Sequence, residues 1–99
     1  MSAVQEVTVV CPTDEVLNED SLRPALRLRD ESPAPTVYVD LGGVRLPTAE
    51  GLGVLVTLAA ELRCRGGGLV LVNVPADTYE VFAVTHLVDV LDVRPAFPP

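Results

Sequence analysis

The sequence predicts an α/β domain, a mostly parallel central sheet of about four strands with helices packed on it. Three observations predict it. Short runs rich in β-branched residues alternate with stretches whose apolar residues recur at helical spacing. Gly and Pro clusters punctuate the boundaries between them. The resulting order, β-α-β-α-β-α-β, places crossover helices between strands, which is how parallel strands are joined.

Residues 6–11 (EVTVVC) stop at Pro12 and read as the first strand. Pro12, Thr13 and Asp14 supply turn chemistry. Asn18 is placed as a helix N-cap, with Glu19 and Asp20 favouring the positive helix end. Leu22, Leu26 and Leu28 then give a short amphipathic helix of about three turns, which tolerates Pro24 because it falls early. Residues 30–35 (DESPAP) form a loop. Residues 36–41 (TVYVDL) are apolar almost throughout, the pattern of a central strand covered on both faces. Gly42 and Gly43 break it. From 48 to 65, Leu52, Leu55, Ala59 and Leu62 recur at steps of 3, 4 and 3, a helical spacing. Thr48 is the natural N-cap, and Gly66, Gly67 and Gly68 end the helix. Residues 69–73 (LVLVN) are a third buried strand. Pro75, Ala76 and Asp77 lead into a helix carrying Tyr79, Val81, Phe82 and Leu87. Residues 89–93 (DVLDV) contain a short final strand, and the tail 94–99 (RPAFPP) has too many prolines for a helix.

At 99 residues the chain suits a single domain, 1–99. It is 48% hydrophobic but only 4% aromatic, so the core must be aliphatic. Against 14 acidic residues stand 7 basic ones, a formal net charge of −7. Nucleic acid is not an expected partner, because binding its phosphates needs clustered Lys and Arg. Every basic residue is Arg, which removes Schiff-base and Walker-type lysine chemistry. His86, the single histidine, leaves no multi-histidine metal site and little material for a triad. No catalytic residue, metal or cofactor is expected. Cys11 and Cys64 show no disulfide framework and read as reduced, structural thiols. The first residues lack a signal peptide's basic start and apolar run. The longest apolar stretch, 52–60, is too short to cross a bilayer. The expected address is the cytoplasm, without a membrane partner.

Val39-Asp40-Leu41-Gly42-Gly43-Val44, then Gly51-Leu52-Gly53, then Arg65-Gly66-Gly67-Gly68-Leu69-Val70-Leu71-Val72-Asn73 resembles a STAS domain. More narrowly, it is similar to the bacterial anti-sigma factor antagonists, over residues 7–93. The resemblance implies a STAS-type fold and a protein that binds without catalysis. It also implies a partner, an anti-sigma factor of the GHKL kinase type. In that family a loop at the start of the second helix reads roughly Asp-Ser-Ser/Thr-Gly-Leu. The partner phosphorylates the first serine, and a phosphate puts about −1.5 to −2 charge and bulk into the contact, which ends it. Relatives often carry a further strand before position 7 and a further helix after 93. By that comparison sheet edge and helical cover are reduced here, which makes a homodimer an expectation too.

Aligned from Asp40, Thr48 falls on the family's aspartate, Ala49 on the phosphorylated serine, Glu50 on the second hydroxyl residue and Gly51 on the glycine. Ala49 has no oxygen to accept a phosphate, so the phosphorylation site is degenerate. Three consequences stay open. The protein binds its partner and cannot be switched off here; or Glu50 supplies a permanent charge that partly imitates the phosphate; or the protein has become a scaffold or regulatory subunit of a larger signalling or transport assembly. The partner-binding loop is expected at Thr48, Ala49, Glu50, Gly51 and Leu52. Asn18, Glu19 and Asp20, near Asp14 and Glu15, form a candidate rim for a basic partner. Thr48 reads as a cap rather than a displaced phosphosite, because in-line transfer tolerates no one-residue shift. Glu50 is either a contact for a basic partner or a first-turn carboxylate favoured by the helix dipole. Asp40 reads as structural, capping the adjacent loop. Cys64 reads as helix surface, and His86, where many relatives have glycine, as a helix-end residue.

Overall fold

The computed structural model describes residues 7–12, 15–31 and 34–96. The chain runs through β1 (Val7–Val10), β2 (Val16–Leu17), α1 (Arg23–Leu26), a 3₁₀ turn (Arg27–Asp30) and β3 (Thr36–Asp40). It continues through β4 (Leu46–Pro47), α2 (Ala49–Cys64), β5 (Gly68–Val74), α3 (Ala76–Val84), a second 3₁₀ turn (Leu87–Asp89) and β6 (Asp92–Pro95). The central sheet has four strands in the order β1-β3-β5-β6, each pair parallel. That order is also chain order. Every right-handed crossover therefore steps the same way and leaves its helix on the same face.

Register makes the two faces visible. Val10, Val39, Leu71 and Val93 lie in one row across the strands, and Val39 and Leu71 are fully buried. They meet Leu55, Leu58 and Leu62 of α2, Phe82 of α3 and Ala25 of α1, an aliphatic core in which Phe82 is the one buried aromatic ring among the described residues. The neighbouring row is Val9, Tyr38, Val70 and Asp92. There Val9 is 64% exposed, and Val70, although buried, stands outside the core cluster. β3 therefore alternates buried with half-buried residues, and the expectation of cover on both faces is corrected. The physical reason is topological: a sheet wound in one direction has its crossovers on one side.

Glycine ends α2 by a specific device. Gly66 takes a left-handed φ of 89°, its N–H reaches the Arg63 carbonyl at 3.1 Å, and the Gly67 N–H reaches the Leu62 carbonyl at 2.8 Å. This paired closure satisfies two end carbonyls that the helix leaves open. His86 holds the equivalent place after α3, with φ 61° and its N–H on the Ala83 carbonyl at 3.1 Å. It is exposed, a helix-end residue as expected.

Other boundaries move. Asn18 does not cap α1; the N-cap is Leu22, with no side-chain hydrogen bond, and Pro24 sits in the first helical turn. The expected three turns become four α-helical residues followed by the 3₁₀ turn. The last strand begins at Asp92, within the expected 89–93, because residues 87–91 close a tight turn in which the Leu91 N–H reaches the Leu87 carbonyl at 2.8 Å. β6 consequently takes in Arg94 and Pro95 of the expected tail. Cys11 and Cys64 are free and exposed, so neither is a core thiol. Thr13 and Asp14 of the expected turn, residues 32–33 of the loop and 97–99 of the tail lie outside the described residues. No helix among the described residues is long and apolar enough to cross a membrane.

Candidate functional site

A second, two-stranded sheet organises the site. β2 pairs in parallel with β4, Val16 opposite Leu46 and Leu17 opposite Pro47. The Glu15 carbonyl fixes the approach, accepting from the N–H groups of Arg45 (2.8 Å) and Leu46 (3.0 Å). This brings Leu17 under the first turn of α2.

Thr48 leaves β4 in extended conformation and caps α2. Its Oγ1 accepts from the Gly51 N–H at 3.0 Å, as an N-cap hydroxyl should. The same hydroxyl donates to the Leu17 carbonyl at 2.6 Å. One side chain thus joins helix start to strand. The next residue, Ala49, is the first of α2 and is exposed, a bare methyl on the rim of the turn. Gly51 is buried against Leu17: a Cβ there would lie 2.9 Å from Leu17 Cγ and nearer still to its carbonyl. Glycine is required by this close approach, not by its backbone angle. Leu52 turns inward and packs on the core.

Glu50 is exposed, yet it is not simply a solvated carboxylate. Its Oε2 accepts from the backbone N–H of Glu19 at 3.0 Å. The first turn of α2 also favours negative charge by its dipole. Glu50 therefore bridges the loop to the turn that carries the candidate rim.

That turn has its own lock. Asn18 Oδ1 accepts from the Ser21 N–H at 2.9 Å, and Ser21 Oγ accepts from the Asn18 N–H at 2.9 Å. The two side chains satisfy each other's backbone as in a capping box, but around a turn rather than a helix. Ser21 is only 7% exposed and escaped the sequence reading, where the Asn-x-x-Ser spacing was its one signal. Glu19 and Asp20 are exposed, and Asp20 pairs with Arg23.

The structure thus brings together the loop residues and the rim residues Asn18, Glu19 and Asp20. Asp40 stands apart, at the end of β3. It accepts from the Gly42 N–H at 2.8 Å and from Asn73 Nδ2 at 3.2 Å, which is the structural, loop-capping role expected of it. Leu46, 57% exposed just before Thr48, was not singled out by the sequence, since a two-residue strand has no period to read. Among the described residues, no three His, Cys, Asp or Glu side chains gather to hold a metal.

A family model described as Mlab, STAS domain, matches residues 17–92. A solved structure from Thermotoga maritima, described as an anti-sigma factor antagonist, is 19% identical, with a TM-score of 0.66 over 87% of this chain and 78% of that one. The inward-facing structure of murine Solute Carrier 26 family member A9, an anion transporter, is also 19% identical, with a TM-score of 0.68. That match covers 97% of this chain and 17% of the transporter chain. Likeness at such identity carries the fold. No curated protein matches the sequence.

Proposed function

The chain belongs to the STAS domain family, and from that premise we propose that it is a non-catalytic binding module of the anti-sigma factor antagonist type. It docks an anti-sigma factor of the GHKL kinase type, in the cytoplasm, through Thr48, Ala49, Glu50, Gly51 and Leu52. Asn18, Glu19 and Asp20 flank the contact. One observation carries the reading: Ala49 lies exposed on a turn that Thr48 and Glu50 tie to the Leu17–Glu19 segment. A loop so fixed presents one shape to a partner without ordering cost at docking.

With a methyl at the acceptor position, docking is constitutive. Thr48 does not replace the missing serine, because its hydroxyl is committed to the Leu17 carbonyl and the Gly51 N–H. Nor is Glu50 a free imitation of a phosphate: one of its oxygens is engaged by Glu19, and a carboxylate carries less charge and fewer acceptors than a phosphate. A second reading, a scaffold or regulatory subunit of a larger signalling or transport assembly, is favoured by the match of nearly the whole chain to part of a transporter.

The purified protein is mixed with the candidate anti-sigma kinase and ADP or ATP, and complex formation and intact mass are scored together. A complex with either nucleotide and no added phosphate supports the constitutive antagonist. A phosphate on Thr48 overturns the constitutive reading. No complex with either nucleotide overturns the antagonist and leaves the assembly subunit.

A further inference from the structure

The outer face of α2 is built unlike a solvent face. Leu55, Leu58, Ala59 and Leu62 are buried, while Ala49, Gly53, Val56, Thr57 and Ala60 are exposed. Between Glu50 and Glu61 no side chain on any side of the helix is charged, in a chain that is 21% charged. The exposed side of α3, by contrast, carries Asp77 and Glu80. A helix apolar on all sides is ordinarily a covered helix.

Gly53 gives an independent sign. A Cβ built there meets nothing within 4 Å among the described residues, and its φ lies outside the left-handed range. Among the described residues neither packing nor backbone asks for glycine here, whereas Gly51, two residues earlier, has Leu17 of β2 pressing on it. A mid-helix glycine costs helix stability relative to alanine. Ala49, Gly53, Val56 and Ala60 recur at positions that share one helix face, so the open glycine sits in the middle of the charge-free strip.

Resting on the docking reading above, we infer that this face of α2 as far as Ala60 is covered in the complex by an amphipathic helix of the partner, flanked by Arg or Lys. Gly53 is its point of closest approach. The sign of the charge argues for that occupant. Glu19, Asp20 and Glu50 are exposed at the loop end of the face, and the whole chain carries −7. Packed in the same direction, a second copy would set the acidic rim against itself, and in either direction it brings −7 against −7; a basic-flanked helix meets a complementary rim. Side chains as small as Gly and Ala let two helices pack at short interaxial distance.

The test uses the kinase–ADP titration with the full chain and the variants Gly53→Ala and Ala60→Gln, with Glu80→Gln as a control outside the face. Thermal melts of each free protein accompany it. Gly53→Ala is expected to raise the melting temperature, since it gains helix propensity and meets no obstacle. Gly53→Ala and Ala60→Gln are each expected to weaken docking about tenfold or more, as bulk placed in a close-packed contact does, while Glu80→Gln leaves it unchanged. Wild-type binding matched by both variants would sink the inference and leave docking confined to the loop. A lower melting temperature for Gly53→Ala would remove its premise. If the wild-type chain itself does not bind the kinase, the docking reading fails and this one with it.

Discussion

At Thr48 one hydroxyl serves two backbones, accepting from the Gly51 N–H and donating to the Leu17 carbonyl. Thr48→Ala removes both bonds and leaves the carbonyl of buried Leu17 only the longer bond from the backbone N–H of residue 48, at 3.4 Å. The expected loss is about 1–2 kcal/mol in chemical denaturation, and Thr48→Ser should restore most of it. Glu50 holds the rim turn through the Glu19 N–H. Because the bond is exposed, Glu50→Ala should cost only about 0.3–1 kcal/mol overall. Its clearer effect is local: faster hydrogen exchange at the Glu19 amide, read by NMR. His86 offers the opposite sign. A non-glycine residue at φ 61° carries a backbone cost that glycine does not. His86→Gly is expected to stabilise the fold by about 1 kcal/mol, measured by denaturant midpoint. No loss on Thr48→Ala, or a loss on His86→Gly, would contradict the roles assigned to them.

Elements differ in how far their residues announced them. β5 was legible because a β-branched run follows a triple glycine, and α2 because its apolar steps are regular between a threonine and those glycines. The final strand was legible only as lying within 89–93, because Asp recurs among the apolar residues from Val88 to Val93 in a way that fits several starts. What chose among them was burial of Leu91, a tertiary fact, with the chain closing a 3₁₀ turn to deliver it. At the site, Thr48 was readable as a cap because its neighbour sequence defines a helix start. Asn18 was read as a cap of the wrong object, since Ser21 competes for it and closes a turn first. β2 and β4 could not be read at all: two-residue strands have no period, and each exists only because the other is there. Sheet faces give the element-scale prediction. Val39→Ala, at a fully buried inward position, should cost about 1–3 kcal/mol. Val9→Thr on the open face should stay within roughly 0.5 kcal/mol. Equal losses at the two sites would mean that the outward face is covered after all.

For the molecule as a whole, charge is the term with reach. Fourteen carboxylates against seven arginines leave a net −7 that repels itself over a chain of this size. The ion pairs present, such as Arg45 with Glu15 at 3.7 Å, are exposed and contribute little each. Screening should therefore stabilise the fold, and the melting temperature should rise as sodium chloride goes from about 10 mM to about 150 mM at neutral pH. A fall would mean that local pairs outweigh the overall repulsion.

The bond from Thr48 to Leu17 spans 31 positions of chain. Closing a loop of that length costs entropy before any contact returns it, and the loop holds β3, a strand of the central sheet. The docking surface therefore exists only once the chain has closed on itself. A nascent or half-folded chain displays the residues of the loop but not their shape. Partner capture is in this way conditional on a finished fold, so that only mature copies count in whatever stoichiometry the cell reads.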